Sequence, residues 1–233
     1  MPAPLLTLAL DLPVSGFVLG QLLESGGVDI LKLGLWSMRS SPNDSVRTYA
    51  TFAETLCPKL KIPLFYDLKL ADTPDTNAGV IKTLLKGGYV TISTTLYSPE
   101  HLKKMVALCN QQEVQPVAVS LTTATQKHPL VTLGTREGFI LSEIARAVEC
   151  GFTHFVCDGS MLPCLKDVPI KIHVPGIRPA WYPEPGNHQH TIEPAQAARF
   201  GAYSAIVGRP VLDNEERLMM GVLNQIRQDL HSV

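Results

Sequence analysis

The chain has 233 residues, of which 45% are hydrophobic and 18% are charged, so it can bury a large core and lacks the composition of a disordered protein. Its 20 basic and 21 acidic residues give a net charge of -1, which excludes the strongly basic surface that binds nucleic acid or anionic membranes. The first apolar run follows no basic stretch and is interrupted by Asp11, so we expect no signal peptide and no membrane-spanning helix.

Short apolar segments alternate with longer helical segments along the chain, which is typical of βα units around a parallel sheet. The pattern predicts strands at residues 5–10, 29–34, 62–68, 89–93, 115–121, 153–157, 170–174 and 204–207. It predicts helices at residues 14–24, 43–57, 76–86, 99–111, 136–150, 160–165, 194–200 and 214–230. Asn43 or Asp44 is the expected N-cap of the second helix, and Ser98 followed by Pro99 is the expected start of the fourth.

Eight strands and eight helices predict a closed (β/α)8 TIM barrel that forms a single domain over residues 1–233. An open doubly wound sheet would place a glycine-rich GxGxxG turn after the first strand, where this chain reads ALDLPVSG. Between strands seven and eight the chain reads PGIRPAWYPEPGN, which predicts a long active-site loop.

The five cysteines are scattered and include no CxxC pair, so the sequence indicates neither a disulfide framework nor a zinc site. They are Cys57, Cys109, Cys150, Cys157 and Cys164. Reduced thiols of this kind favour a cytoplasmic protein.

The third predicted strand, within LFYDLKLADTPDTN, carries the most informative charges. Asp67 and Lys69 are two residues apart, so they point to the same face of a strand, and Asp72 follows in the loop. A surface ion pair would explain this spacing equally well in isolation. On a barrel strand, however, the shared face is the interior, and catalytic groups gather at the carboxyl ends of the strands.

Other strand ends carry charges as well. Lys32 lies inside the apolar run ILKLG, where its ammonium needs a carboxylate such as Asp11 or Asp67 within reach. Asp11 alone is equally well explained as a helix N-cap. Gly208 and Arg209 follow strand eight, where barrels often bind phosphate, although a structural arginine is the simpler alternative.

Taken together, these segments resemble orotidine 5'-phosphate decarboxylase. The resemblance covers nearly the whole chain in the segments ALDL, KLG, DLKLADTPDTN, SLTT, PGIRP and EPAQAARFGAYSAIVGRP. It implies decarboxylation of orotidine 5'-monophosphate to UMP, in pyrimidine nucleotide synthesis, without a metal or organic cofactor. The alternating lysine–aspartate array of that family falls here on Lys32, Asp67, Lys69 and Asp72.

The same resemblance implies the remaining contacts. Asp11 and Lys32 hold the ribose hydroxyls, and Thr122 contacts the pyrimidine. The phosphate is held by Arg178, Gly208 and Arg209, and the position of a family glutamine falls on either His188 or Gln189. Family members are homodimers, in which the residues matching Asp72 and Thr76 enter the partner's site.

Two alternatives remain. A magnesium-dependent decarboxylase or aldolase of sugar phosphates also uses a DxKxxD strand, but such relatives place a glutamate on strand two, where this chain has Lys32, a cation that would repel magnesium. A catalytically silent barrel that binds a phosphate ligand is the second alternative, because the fold alone does not determine function. The complete lysine–aspartate array argues against it.

Overall fold

The computed structural model describes residues 2–40, 48–120, 135–182 and 190–232. Its eight parallel strands pair in chain order and close into a barrel where the first strand meets the last, which confirms the predicted TIM barrel. The strands are β1 (Leu5–Leu10), β2 (Ile30–Leu33), β3 (Leu64–Leu70), β4 (Tyr89–Ser93), β5 (Gln115–Val119), β6 (His154–Val156), β7 (Lys171–Val174) and β8 (Ser204–Val207).

Helices surround this barrel, and several begin at a side chain that accepts a backbone N–H, such as Ser15 for the first helix and Ser98, as predicted, for the fifth. In the described ranges they are α1 (Gly16–Glu24), α2 (Leu35–Arg39), α3 (Tyr49–Leu60), α4 (Pro74–Ile81), α5 (Pro99–Gln111), α6 (Arg136–Glu149), α7 (Pro194–Arg199), α8 (Arg209–Leu212) and α9 (Glu216–His231). A 3₁₀ helix covers Gly159–Leu165, where the pattern predicts an α-helix.

The structure corrects the sequence interpretation at three points. Helix α3 begins at Tyr49 instead of residue 43, because Thr48 accepts the N–H of Thr51 and caps it; Asn43 and Asp44 lie outside the described residues. Asp11 is not a helix cap, since Ser15 has that role in α1. The short helices α2 and α8 directly follow strands and are too short to show a helical period in the sequence.

The barrel interior is layered. Its middle is an apolar layer in which side chains from five strands pack together; these are Ala9, Ile30, Phe65, Val117 and Ile206. A second and larger core lies between the strands and the surrounding helices. In the described part of the chain, polar side chains of the interior lie above and below this apolar layer, and those above it line the candidate site.

All five cysteines lie in the described ranges and are free thiols. Burial raises the pKa of Cys57 and of Cys109 to about 12, so both are protonated at neutral pH and poor nucleophiles. No helix in the described part of the chain combines the length and the apolar character needed to cross a membrane.

Candidate active site

A cavity of about 670 Å³ opens at the carboxyl ends of the strands, where active sites of such barrels lie. Seven of the predicted site residues line it, namely Asp11, Lys32, Asp67, Lys69, Arg178, Gly208 and Arg209. Three further predicted residues, Thr122, His188 and Gln189, lie outside the described residues. The barrel thus brings together charged groups from β1, β2, β3, β7 and β8.

The floor of the cavity is a row of alternating charges. Lys32 Nζ lies 3.0 Å from Asp67 Oδ2 and 3.4 Å from Asp11 Oδ1, and Lys69 Nζ lies 2.7 Å from Asp67 Oδ1. The expectation that Lys32 needs a carboxylate partner is therefore confirmed, and it has two. The Lys32 side chain is only 10% exposed and that of Asp67 17%, so this carboxylate is shared by two ammonium groups in a largely dry environment.

The charges in this row stabilise one another. Burial disfavours a charged Lys32, but the carboxylates of Asp67 and Asp11 outweigh it and raise the pKa of Lys32. Burial likewise disfavours a charged Asp67, yet Lys32 and Lys69 outweigh it and lower the pKa of Asp67 to about 2. Lys32 and Asp67 are consequently both ionised at neutral pH.

An irregularity in β3 places Lys69. The pairing of β3 with β4 shifts between Tyr66 and Leu70, and Lys69 has a φ of 48°, in the left-handed region that non-glycine residues seldom adopt. Thr91 of β4 accepts the Lys69 N–H at 2.7 Å and donates to Asp67 Oδ1 at 3.2 Å. The sequence interpretation missed Thr91. The available signal was strand periodicity, because Thr91 follows Tyr89 by two residues in β4 and both therefore face the barrel interior.

Asp72 and Thr76 do not join the row. Both are exposed, and neither lines the cavity in the described part of the chain. Asp72 Oδ1 accepts the N–H of Thr73, and Thr76 Oγ1 lies 2.9 Å from Thr73 Oγ1 at the start of α4. The turn after Leu70 thus directs Asp72 towards α4 and away from Lys69 of the same chain, and its expected place in the partner's site stays a prediction.

Two arginines that follow β7 and β8, Arg178 and Arg209, also line the cavity. Gly176, with a φ of 77°, turns the chain after β7, and a bridge between Ile177 and Ile192 then fixes the next residue, Arg178. Arg178 is buried, and its guanidinium interacts electrostatically with that of Arg209. Two neighbouring cations in a cavity form a suitable site for a dianionic phosphate.

The cavity wall also includes residues that the motifs did not point to. Arg136 at the start of α6 forms an ion pair with Asp158, which follows β6, and Trp36 of α2 lines the cavity while its ring packs 5.3 Å from that of Tyr49. For Asp158 and Trp36 the position shortly after a strand was the available signal, since residues at strand ends face the mouth of a barrel; Arg136, 17 residues beyond the end of β5, gave no such signal.

A family model described as orotidine 5'-phosphate decarboxylase / HUMPS family matches residues 4–218. The chain belongs to this family. Among relatives, orotidine 5'-phosphate decarboxylase of Rhodopseudomonas palustris (strain BisA53) is 31% identical over 64% of this chain and 66% of its own. That of Paramagnetospirillum magneticum (strain AMB-1) is 29% identical over 65% of this chain and 70% of its own.

Solved structures with the same barrel include orotidine 5'-monophosphate decarboxylase from Methanocaldococcus jannaschii, complexed with the inhibitor BMP. It superposes with a TM-score of 0.73 at 16% identity, over 98% of this chain and 99% of its own. At that identity the match supports the fold, and the assignment to the orotidine 5'-phosphate decarboxylase / HUMPS family depends on the family model.

Proposed function

We propose that this protein decarboxylates orotidine 5'-monophosphate to UMP, the final step of pyrimidine nucleotide synthesis, without a metal or organic cofactor. The observation that carries the proposal is the row Lys32–Asp67–Lys69 on the floor of the cavity, where two ammonium groups flank one carboxylate. Membership of a family that includes orotidine 5'-phosphate decarboxylases supports it.

The reaction needs a cation at the reacting carbon. When the bond between C6 and the carboxylate breaks, its electron pair stays on C6 in an orbital that the pyrimidine ring does not delocalise. A fixed ammonium can stabilise this charge and then donate a proton to C6. Lys69 is the candidate, because its ammonium is held by Asp67 and its side chain remains 42% exposed towards the cavity.

Asp67 has a different part in this proposal. Its pKa of about 2 keeps it ionised. In the proposed complex this charged carboxylate faces the carboxylate of the substrate. Two carboxylates in a water-poor site repel each other, and this repulsion is relieved as carbon dioxide leaves. Lys32 keeps Asp67 ionised and orients it from the other side.

The remaining groups bind the parts of the substrate that do not react. In the proposed complex, Arg178, Gly208 and Arg209 hold the phosphate, with His188 or Gln189 as a further contact. Asp11 and Lys32 hold the ribose hydroxyls, and Thr122 contacts the pyrimidine. Binding energy from the phosphate can thereby offset the cost of aligning C6 with Lys69.

We further propose that the chain acts as a single barrel domain and forms a cytoplasmic homodimer. Asp72 and Thr76 support the dimer, because both are exposed and neither lines the cavity of its own chain in the described ranges. In a dimer they would enter the partner's cavity. The five free thiols, four of them buried, suit a reducing compartment.

The magnesium-dependent alternative fits this cavity poorly. Lys32 occupies the position on strand two where a metal-binding relative would carry a carboxylate, and an ammonium there repels a divalent cation. Within the described ranges, no three His, Cys, Asp or Glu side chains are grouped to hold a metal ion.

The direct test follows the ultraviolet absorbance of orotidine 5'-monophosphate mixed with purified protein, with and without EDTA. We expect conversion to UMP at the same rate in both samples. Turnover that EDTA abolishes and magnesium restores would contradict the proposal and favour the sugar-phosphate alternative. Tight binding of UMP without any turnover would instead indicate a silent phosphate-binding barrel.

A further inference from the structure

The irregularity in β3 lies opposite a single residue of β4. Tyr66 pairs with Val90 and Leu70 with Ile92, so three residues of β3, from Asp67 to Lys69, face Thr91 alone. The extra residues bend the strand and free the backbone there from regular pairing. The segment that bears both reacting charges is therefore not fixed by the sheet.

The hydroxyl of Thr91 makes up for the missing pairing. It accepts the Lys69 N–H at 2.7 Å and donates its own proton to Asp67 Oδ1 at 3.2 Å. A hydroxyl has one proton and two lone pairs, so both bonds can form at once. Thr91 is fully buried, which keeps water from replacing either bond.

From this geometry we infer that Thr91 is a positioning residue for the decarboxylation, because one hydroxyl ties the strained backbone of Lys69 to the carboxylate that holds its ammonium. The inference rests on the proposed function. Thr91 touches neither the substrate nor the proton that is transferred. It acts through Lys69, by keeping the ammonium aimed at the reacting carbon.

Two substitutions distinguish the effect of the Thr91 hydroxyl from the effect of its side-chain volume. Thr91→Val keeps the branched shape but removes the acceptor of the Lys69 N–H and the donor to Asp67. Thr91→Ser keeps the hydroxyl and loses only a methyl group. The chain offers a matched control in Thr7→Val, since Thr7 is also fully buried in the interior and its hydroxyl lies 2.8 Å from Ser204 Oγ, far from the cavity.

The experiment measures kcat and KM for orotidine 5'-monophosphate and the Kd of UMP for wild type and these three variants. We expect kcat of Thr91→Val to fall roughly 10- to 100-fold, because a small displacement of a reacting group has effects of this size. The UMP Kd should change less than about threefold, since ribose and phosphate contacts come from other strands. Thr91→Ser and Thr7→Val should keep kcat within about threefold of wild type.

A Thr91→Val enzyme with wild-type kcat would overturn the inference, as would a Thr91→Ser enzyme that is as slow as Thr91→Val. If Thr91→Val does not fold, amide hydrogen exchange at Lys69 in the wild type provides the test: a protected amide supports the bond to Thr91, and exchange at the rate of a free amide overturns it. Wild-type protein without turnover would contradict the proposed function instead, so the two failures are distinguishable.

Discussion

The barrel interior is polar at both ends, but one end stabilises its buried polar groups by ion pairs and the other by hydrogen bonds between neutral groups. At the carboxyl ends of the strands lies the charged end, which consists of Lys32, Asp67 and Lys69. At the amino ends lies the neutral end, which consists of Thr7, Tyr89, His154, His173, Tyr203 and Ser204. The apolar layer around Phe65 separates them.

The neutral end is a chain of hydrogen bonds between uncharged groups. Thr7 Oγ1 lies 2.8 Å from Ser204 Oγ, which lies 3.2 Å from His173 Nδ1. His173 Nε2 lies 2.9 Å from His154 Nδ1. Burial lowers the pKa of His154 to about 4 and also lowers the pKa of His173, with a smaller effect of Lys171 on both. Both imidazoles are thus neutral at pH 7.

The comparison shows which end of the barrel contains energetically unfavourable features, namely buried charges and strained backbone. The neutral end satisfies its polar groups without ions and without strained backbone. The charged end holds three ionised groups and a lysine with a φ of 48°, each of which is unfavourable in isolation. In the described chain, the other non-glycine residues with positive φ, Lys61 and Glu113, are at exposed turns. Strain inside the barrel coincides with the groups proposed to react.

The largest effect should come from removing a cation at the charged end. We expect Lys69→Ala to lower kcat by about 10³-fold or more, because one group supplies both charge stabilisation and the proton. UMP should still bind, since Lys69 has no proposed contact with ribose or phosphate. Steady-state kinetics, UMP titration and circular dichroism measure turnover, binding and folding.

The matched control for that change is Lys171→Ala. Lys171 Nζ lies 4.9 Å from the ring of Tyr203 at the neutral end, so its loss should leave kcat within about twofold of wild type. A folded Lys69→Ala protein that keeps more than about a tenth of wild-type turnover, a barrier change under roughly 1.4 kcal/mol, would show that Lys69 is not the acid.

Acid should destabilise the two ends in separate pH ranges. In the unfolded chain His154 takes up a proton near pH 6.5, whereas in the native protein it does so only near pH 4. As pH falls between these values the unfolded state binds more protons, so the free energy of unfolding should drop, by about 3 kcal/mol for His154. Asp67 is stabilising above pH 3.8, and its contribution is lost only as pH falls towards 2.

Urea unfolding at a series of pH values measures this dependence, and His154→Gln should reduce its slope between pH 6.5 and 4 while the contribution of His173 remains. His101→Gln is a suitable control, because His101 is an exposed histidine in α5. If the curve for His154→Gln kept the wild-type slope in this range, His154 would not be a source of the acid sensitivity.

A moderate effect is expected for Arg209, which belongs to the cavity but lies away from the reacting carbon. Arg209→Ala should lower kcat/KM for orotidine 5'-monophosphate by a factor equivalent to about 1.5–3 kcal/mol, the value of a charge-assisted contact with phosphate. The loss should be much smaller for orotidine, which lacks the phosphate. The exposed Arg199 in α7 provides the control, as Arg199→Ala should affect neither substrate.

Equal losses for the two substrates would remove Arg209 from the phosphate site. The comparison also separates binding from chemistry at this end of the barrel, because Lys69→Ala should slow both substrates alike. Kinetics with both substrates for both variants therefore give four values of kcat/KM. The proposal predicts similar losses with the two substrates for Lys69→Ala, and for Arg209→Ala a much larger loss with orotidine 5'-monophosphate than with orotidine.

Strand periodicity was sufficient to predict part of the charged end. The spacing of Asp67 and Lys69 placed both in the interior, and the apolar surroundings of Lys32 indicated a carboxylate partner. The irregular pairing opposite Thr91 was not predictable, since periodicity assumes a regular ladder and nothing in the sequence fixes which residues of β3 leave it.

The neutral end was missed entirely for a related reason. Its residues come from five strands and from the segment before β8, and apart from the neighbours Tyr203 and Ser204 they are far apart in the sequence. Only barrel closure brings His173 of β7 to 5.1 Å from Phe65 of β3, ring centre to ring centre. Helix starts were also ambiguous, because Asn43, Asp44 and Thr48 are all residue types that cap helices.

The smallest effect should follow the loss of one hydroxyl at the neutral end. Thr7→Val removes the hydrogen bond to Ser204 but leaves Ser204 its second partner, His173. The free energy of unfolding should therefore fall by only about 1 kcal/mol, the net value of a neutral hydrogen bond, and kcat should not change. Urea unfolding and steady-state kinetics on one preparation measure both. A loss of turnover comparable to that of Thr91→Val would mean that the apolar layer does not separate the two ends, and that polar groups throughout the interior act on Lys69.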